Sequence, residues 1–290
     1  LELLQKQSVG LSHQSYNIDG HQWALALDAA TQVSCFRSDL IESLPLSWED
    51  LFELSQNKRV IWPLKPVHAI SSFYSIYNNI TEKFEPNNKN FIQRDLGVKV
   101  LQMMKQISKN LTSECFNMDP IKTAEILSEN NEFFYSPYTY GFSNYSRKGY
   151  RKNLLTYGNV IDLSGKGPYG THLGGTGIAI SNKSKNKDLA LEYSFWIAGS
   201  ECQQTIFYTS GGQPGNSDAW ENNNINLETN NFFKNTRLTL DQAWVRPRHN
   251  GYMKFQDESG NIINEYLQSN VNEVNVIDKL KLMYAESFEE

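Results

Sequence analysis

The densest group of chemically capable side chains in the sequence is Arg246-Pro247-Arg248-His249, followed by Tyr252. A guanidinium at Arg246 can hold a carboxylate through two parallel hydrogen bonds. It can equally ion-pair with Asp28 or start a salt-bridged helix. Asp28 can serve as a charged, and therefore strong, hydrogen-bond acceptor, or simply mark a turn. Tyr138 and Tyr140, in Ser136-Pro137-Tyr138-Thr139-Tyr140-Gly141, offer flat faces and hydroxyls to a ligand or pack a loop. Gly174 and Gly175 let the backbone approach a ligand closely or admit a tight entry to a strand. Gln213 and His172 are further polar candidates, and Trp62 beside Pro63 reads as core.

The usual signatures of catalysis are missing from the sequence: it has no GxSxG, no HExxH and no Cys–His arrangement. The carboxylates are scattered, which leaves open whether two of them meet in space. Gly174-Gly175-Thr176-Gly177 has a faint look of a phosphate loop, but no Lys-Ser/Thr follows and it leads into a strand. Cys35, Cys115 and Cys202 are far apart with no CxxC. They read as small buried hydrophobes, with no metal and no cofactor expected.

A chain of 290 residues suffices for one large domain or two modest lobes. Its net charge of −5 and lack of a basic stripe argue against a nucleic-acid partner. The short basic stretches Arg147 to Lys152 and Lys183 to Lys187 read as solvated loops. No apolar run approaches the roughly 20 residues of a membrane span. The first residue is Leu1, and no signal peptide is visible.

The elements that must position these residues alternate between extended and helical. Residues 22–27 and 33–36 read as strands. Ser47 with Asp50 forms a capping box opening a helix that buries Trp48 and Leu51. Residues 59–62 read as a strand, 66–80 as a helix, and 91–109 as an amphipathic helix. Asp119-Pro120 places a cap and an N1 proline at the start of another helix, with Ile121, Ala124 and Leu127 on one face. Residues 132–135 and 154–163 read as extended, and 174–180 as a strand entered through glycines. A helix over 187–198 is expected to turn Leu189, Tyr193, Trp196 and Ile197 inward. Ser200 with Gln203 suggests a second capping box, and Gly211 a helix end. The remainder reads as helix near 226–241, 250–269 and 271–286. The class is α/β.

Several segments, taken in order, resemble the family 1 extracellular solute-binding proteins, the sugar-binding components of ABC transporters. Asp19 to Val33 (DGHQWALALDAATQV) is similar to that family's NGKxYALPxDxxTxV stretch. Arg37-Ser38-Asp39-Leu40 and Leu46 to Leu51 follow as its N-K-D-L and P-x-T-W-D-E-L would. Leu173 to Ser181 (LGGTGIAIS) resembles GGxGLAIS, with Thr176 where relatives often carry Trp. Gly211-Gly212-Gln213-Pro214-Gly215 resembles the closing GxxP turn. Members usually carry a long stretch before the first motif, which here begins at Asp19, so the first lobe is expected to be incomplete.

The resemblance implies a two-lobed periplasmic-binding-protein-like (type II) fold with hinge crossings and a helical C-terminal part. Residues 1–29 and 164–225 would form lobe 1, and 30–163 with 226–290 lobe 2. Crossings are expected near Asp28 to Gln32, near Asp162 to Gly167, and near residue 225. The ligand would sit in the cleft between the lobes. Asp28, Thr31, Gln32, Tyr138, Tyr140, Gly174, Gly175, Thr176, Gln213, Arg246 and Tyr252 are the expected ligand-binding residues, with no catalytic residue. A sugar or polyol is then the expected ligand, ABC permease subunits the partners, and the periplasm or cell surface the location. Two alternatives stay open: a truncated or degenerate paralogue acting as a non-transport interaction protein, and a carbohydrate-active enzyme.

Overall fold

The structure, a computed structural model, describes residues 1–81, 85–90 and 92–289. Its strands are short: β1 Asn17–Ile18, β2 His21–Gln22, β3 Leu25–Ala26, β4 Ala30–Phe36, β5 Tyr135–Tyr140, β6 Thr156–Gly158, β7 Leu173–Gly174 and β8 Gly177–Ile178. The helices are α1 Glu2–Lys6, α2 Trp48–Gln56, α3 Pro66–Ile80, α4 Arg94–Ser108, α5 Pro120–Glu129, α6 Lys187–Ala198, α7 Ser200–Cys202, α8 Ser217–Glu221, α9 Asn223–Glu228, α10 Phe232–Asp241, α11 Tyr252–Gln268 and α12 Glu273–Glu286.

β4 organises the molecule. Its first residues, Ala30 and Thr31, pair antiparallel with Gly174 and Leu173 of β7. The rest of it runs antiparallel between β5 and β6. Alternation along a strand sends successive side chains to opposite faces, and β4 uses both. Val33 and Cys35 enter one apolar core with Tyr157, Trp220, Phe232, Phe233 and Leu240. Phe36 enters the other, where Trp48, Trp62, Phe73 and Tyr138 meet α4, α11 and α12 through Val100, Ile263 and Leu280. A strand buried on both faces is held in register, because a one-residue slip would exchange its two sets of partners.

The helices begin where the sequence signals them. Ser47 and Asp50 form the reciprocal capping box at α2, and the Asp119 side chain accepts from Lys122 N–H at α5. Pro66 and Pro120 occupy the first turns of α3 and α5, where a missing N–H costs nothing.

Three expectations are corrected. Residues 59–62 form no strand; Val60 makes a single parallel bridge to Tyr135, because Pro63 cuts the segment short. The Ser200 capping box is absent. Ser200 is the first residue of α7, Gly199 precedes it as cap, and the Ser200 hydroxyl donates to Asp218 at 2.6 Å. On α6 only Ser194 and Ala198 are buried, while Leu189, Tyr193 and Trp196 are 66%, 49% and 45% exposed. The apolar surface of this helix is broader than the part its described neighbours cover.

Candidate functional site

A cavity of about 520 Å³ opens where the C-terminal end of β5, the β7–β8 turn, the N-terminal ends of α3 and α5, and the segment after Trp244 converge. Its volume falls within the range that holds a small polar ligand.

One wall is built from backbone. Leu27 and Asp28 N–H both donate to Thr176 O, at 2.9 and 3.1 Å, and Thr176 N–H returns a bond to Asp28 O at 3.2 Å. This close approach depends on Gly175, whose φ is +126° and whose position would set a Cβ 2.2 Å from Asp28 O. Gly174 makes room for the Tyr140 ring, which a Cβ there would meet at 2.8 Å. The wall is thus continuous from Asp28 through Gly174, Gly175 and Thr176 to Tyr140.

The second wall comes from the two helix starts. Lys65, Val67, His68 and Ser71 reach the cavity from α3, and Asp119, Pro120 and Ile121 from α5. The His68 ring meets Tyr140 edge-on at 6.2 Å. Arg246, His172 and Gln256 close the far side. Arg246 Nη1 donates to Gln256 Oε1 at 3.1 Å, and His172 Nδ1 lies 3.3 Å from Ser71 Oγ.

Burial sets the charge states. The Asp28 carboxyl is pushed up to about 6 by desolvation, against the pull of a hydrogen bond from Gln213 N–H. His172 falls to about 3 through burial, helped by the Arg246 cation. His68 falls to about 4 through burial, with Asp119 opposing. Burial lifts Tyr140 to about 12, moderated by Arg246 and by the Ser71 hydroxyl. At neutral pH the cavity therefore offers an anion at Asp28, a cation at Arg246, and two neutral imidazoles. Arg246 and Asp28 do not pair: the ion pairs among the described residues involve neither.

No family model and no curated protein matches the chain. Solved structures do. Maltose-bound MalE3 of T. maritima superposes with a TM-score of 0.83 at 12% identity, over 98% of this chain and 77% of that one. An ABC transporter solute-binding protein from Agrobacterium radiobacter K84, in complex with ribitol, gives 0.79 at 18% identity, over 99% and 76%. The maltotriose-bound protein of Thermus thermophilus gives 0.74 at 14%, over 99% and 78%. The chain has the two-lobed fold of these solute-binding proteins. All three of these neighbours are named as complexes with a sugar or a sugar alcohol.

Within this fold, six of the eleven expected ligand-binding residues share the cavity, Asp28, Tyr140, Gly174, Gly175, Thr176 and Arg246, and the further polar candidate His172 joins them. Five do not reach it, each for a packing reason. Thr31 is buried on β4, its hydroxyl within hydrogen-bond distance of Thr171 Oγ1 and His172 O. Gln32 is buried against α3, donating to Ser72 Oγ and accepting from Ser75 Oγ. Tyr138 is wholly buried and stacked on Trp62 at 5.8 Å. It shares a strand face with Tyr140, but only Tyr140 sits at the strand's end, where the sheet gives out onto the cavity. The Gln213 amide is buried, donating to Ala29 O and Gly141 O and accepting from Ser143 N–H. Tyr252 is buried in the aromatic core beside His249 and Phe255.

Most of the lining residues missed in the sequence belong to the helix starts, with Ala30, Phe142 and Gln256 besides. Pro66 and Pro120 signalled both N-termini, but nothing local showed that the two ends face each other. Ile121, expected on the core face of α5, is instead 53% exposed and lines the cavity.

Proposed function

We propose that this protein is an extracytoplasmic solute-binding receptor that captures a sugar or polyol and presents it to the permease subunits of an ABC importer. The observation that carries this reading is the cavity itself. An anion at Asp28 and a cation at Arg246 face the same space without pairing, beside the Tyr140 ring. Sugars match such a surface because their hydroxyls both donate and accept, while their C–H faces lie on aromatic rings. The fold shared with maltose-, maltotriose- and ribitol-bound proteins supports the choice of ligand class.

In this reading Asp28, Tyr140, Gly174, Gly175, Thr176 and Arg246 contact the ligand. Residues 1–29 with 164–225, and 30–163 with 226–290, are the two lobes that close on it. Binding is reversible and leaves the ligand unchanged.

The test is direct. Maltose, maltotriose and ribitol are titrated into the protein by calorimetry, with tryptophan fluorescence followed in parallel. Trp244 stacks on cavity-lining His172 at 5.0 Å, so occupancy is expected to alter its emission. A ligand at 100 times its Kd should add roughly 2.7 kcal/mol of apparent stability. Saturable binding with full recovery of the sugar supports the proposal. No binding across the three ligands, or conversion of any of them to product, overturns it.

A further inference from the structure

We infer that His68 is a specificity-determining residue of this cleft, forming with Tyr140 a two-ring corner that favours a closed sugar ring over an open-chain polyol. The inference rests on the sugar-binding reading and goes beyond it, because it says which part of that ligand class the site selects.

The corner follows from the spacing along α3. His68 and Ser71 are three residues apart and so share one helix face, and both line the cavity. The Tyr140 ring is fixed against that face at two points. Its hydroxyl bonds with the Ser71 side chain, and its ring meets the His68 ring at a centroid distance of 6.2 Å and an angle of 61°. Gly174 leaves room for the same ring, which a Cβ there would meet at 2.8 Å. Two flat walls thus stand at a steep angle, one carried by the start of α3 and the other by the end of β5.

Both rings have surface to offer. His68 and Tyr140 are half-buried, whereas Tyr138 and His172 are buried. The Nδ1 atom of His68 is closed to solvent and has no hydrogen-bond partner among the described residues. The accessible surface therefore lies elsewhere on the ring, and any hydrogen bond to a ligand falls to Nε2. Burial, only partly opposed by Asp119, lowers the His68 imidazole to about 4. At neutral pH it is thus a flat and uncharged surface.

The consequence is selectivity. A closed sugar ring carries its C–H groups on flat faces and its hydroxyls around the rim. Seated in the corner, it lays a C–H face on one ring and turns its rim to the other. An open-chain polyol has no flat face, and ordering it between the two rings costs rotational freedom along its backbone. Asp28 and Arg246 read hydroxyls in either kind of ligand, so they do not make this distinction. The choice belongs to the two rings.

Glucose and sorbitol are the probes, because they share a carbon count and differ in being closed or open. Calorimetry is run on the wild-type chain, His68→Ala and His68→Phe. The wild type is expected to bind glucose more tightly than sorbitol. His68→Ala should weaken glucose by about 2- to 10-fold and leave sorbitol within about 2-fold. His68→Phe keeps a ring and removes both nitrogens, so it should retain the preference for glucose. A wild type that binds sorbitol as tightly as glucose overturns the assignment. So does a His68→Ala variant that weakens both equally or neither, or a preference lost as fully in His68→Phe as in His68→Ala. If His68→Ala does not fold, saturation-transfer spectra of the wild type with glucose decide. Transfer to the sugar C–H protons from the ring protons of both His68 and Tyr140 supports the corner, and transfer from only one ring or from neither overturns it. If the wild type binds none of maltose, ribitol, glucose and sorbitol, the sugar-binding reading itself fails. That outcome differs from the one in which these ligands bind and His68 is indifferent to their form.

Discussion

Asp28 and Arg246 line one cavity and leave each other alone: Arg246 gives its guanidinium to Gln256 at 3.1 Å, and the Asp28 carboxylate takes the Gln213 N–H. A charge held in a half-buried site without a counter-ion is a liability to the fold and an asset to a ligand.

The Asp28 charge should show itself in the pH dependence of stability. Folded Asp28 keeps its proton to about pH 6, whereas the unfolded carboxyl loses it near the ordinary value of 3.8. Between those values the folded state binds more protons, so this group's contribution falls as pH rises, and the whole cost is present above pH 6. Asp28→Asn is expected to be more stable than wild type at pH 7, by on the order of 1–3 kcal/mol. The difference should vanish below about pH 4, and maltose affinity should drop. Urea melts at pH 4 and pH 7 measure the first effect and calorimetry the second. Equal stability differences at both pH values would refute the account.

Much of this architecture is legible in the sequence, and the rest is hidden for identifiable reasons. The starts of α2, α3 and α5 follow from Ser47, Pro66 and Asp119-Pro120, because capping is local chemistry. The glycine pair at 174 and 175 announces a close approach, and the structure shows that the approaching groups are Asp28 and Tyr140. By contrast, the choice between Tyr138 and Tyr140 cannot be made locally, since alternation puts both on one face and only the length of β5 separates them. His68 and Lys65 join the site through the meeting of two helix ends more than 50 residues apart in sequence, and no pattern within either helix records that. The exposed face of α6 shows the same limit: its periodicity marks an apolar surface without saying what covers it.

Gln213 is expected to be a structural clamp. Its amide joins Ala29 to the loop of Gly141 and Ser143 after β5, by bonds of 2.9 to 3.1 Å in a buried setting. Gln213→Ala strands two carbonyls and one N–H, and should cost about 2–4 kcal/mol. Denaturant melts measure the loss. A change within about 0.5 kcal/mol, combined with weakened sugar binding, would instead make Gln213 a ligand contact.

Gly175 is expected to tolerate no side chain. Its φ is +126°, and a Cβ at this position would lie only 2.2 Å from Asp28 O, so a rigid backbone leaves no room for one. Gly175→Ala should destabilise by about 2 kcal/mol or more and distort the Asp28 wall. Gly149→Ala is the control, because its φ of +82° carries backbone strain while a Cβ would meet nothing within 4 Å. The excess loss in Gly175→Ala over Gly149→Ala, read from thermal melts, reports the steric part. Similar losses in the two variants would show that the close approach contributes nothing.

The two tyrosines of β5 give the sharpest separation of core from cleft. The Tyr138 hydroxyl is buried with no partner among the described residues, so Tyr138→Phe removes an unsatisfied group. It should leave stability unchanged or raise it by up to about 1 kcal/mol, with maltose affinity intact. Tyr140 borders the cavity and shares the Ser71 hydroxyl with His172. Tyr140→Phe keeps the ring and removes the hydroxyl, so it should weaken maltose binding by about 2- to 10-fold while the melting curve moves little. Calorimetry on both variants checks the pair. If Tyr138→Phe weakened binding and Tyr140→Phe did not, the cavity would have to be redrawn on the other side of Trp62, because the two residues project from the same face of one strand and no smaller rearrangement would exchange their roles.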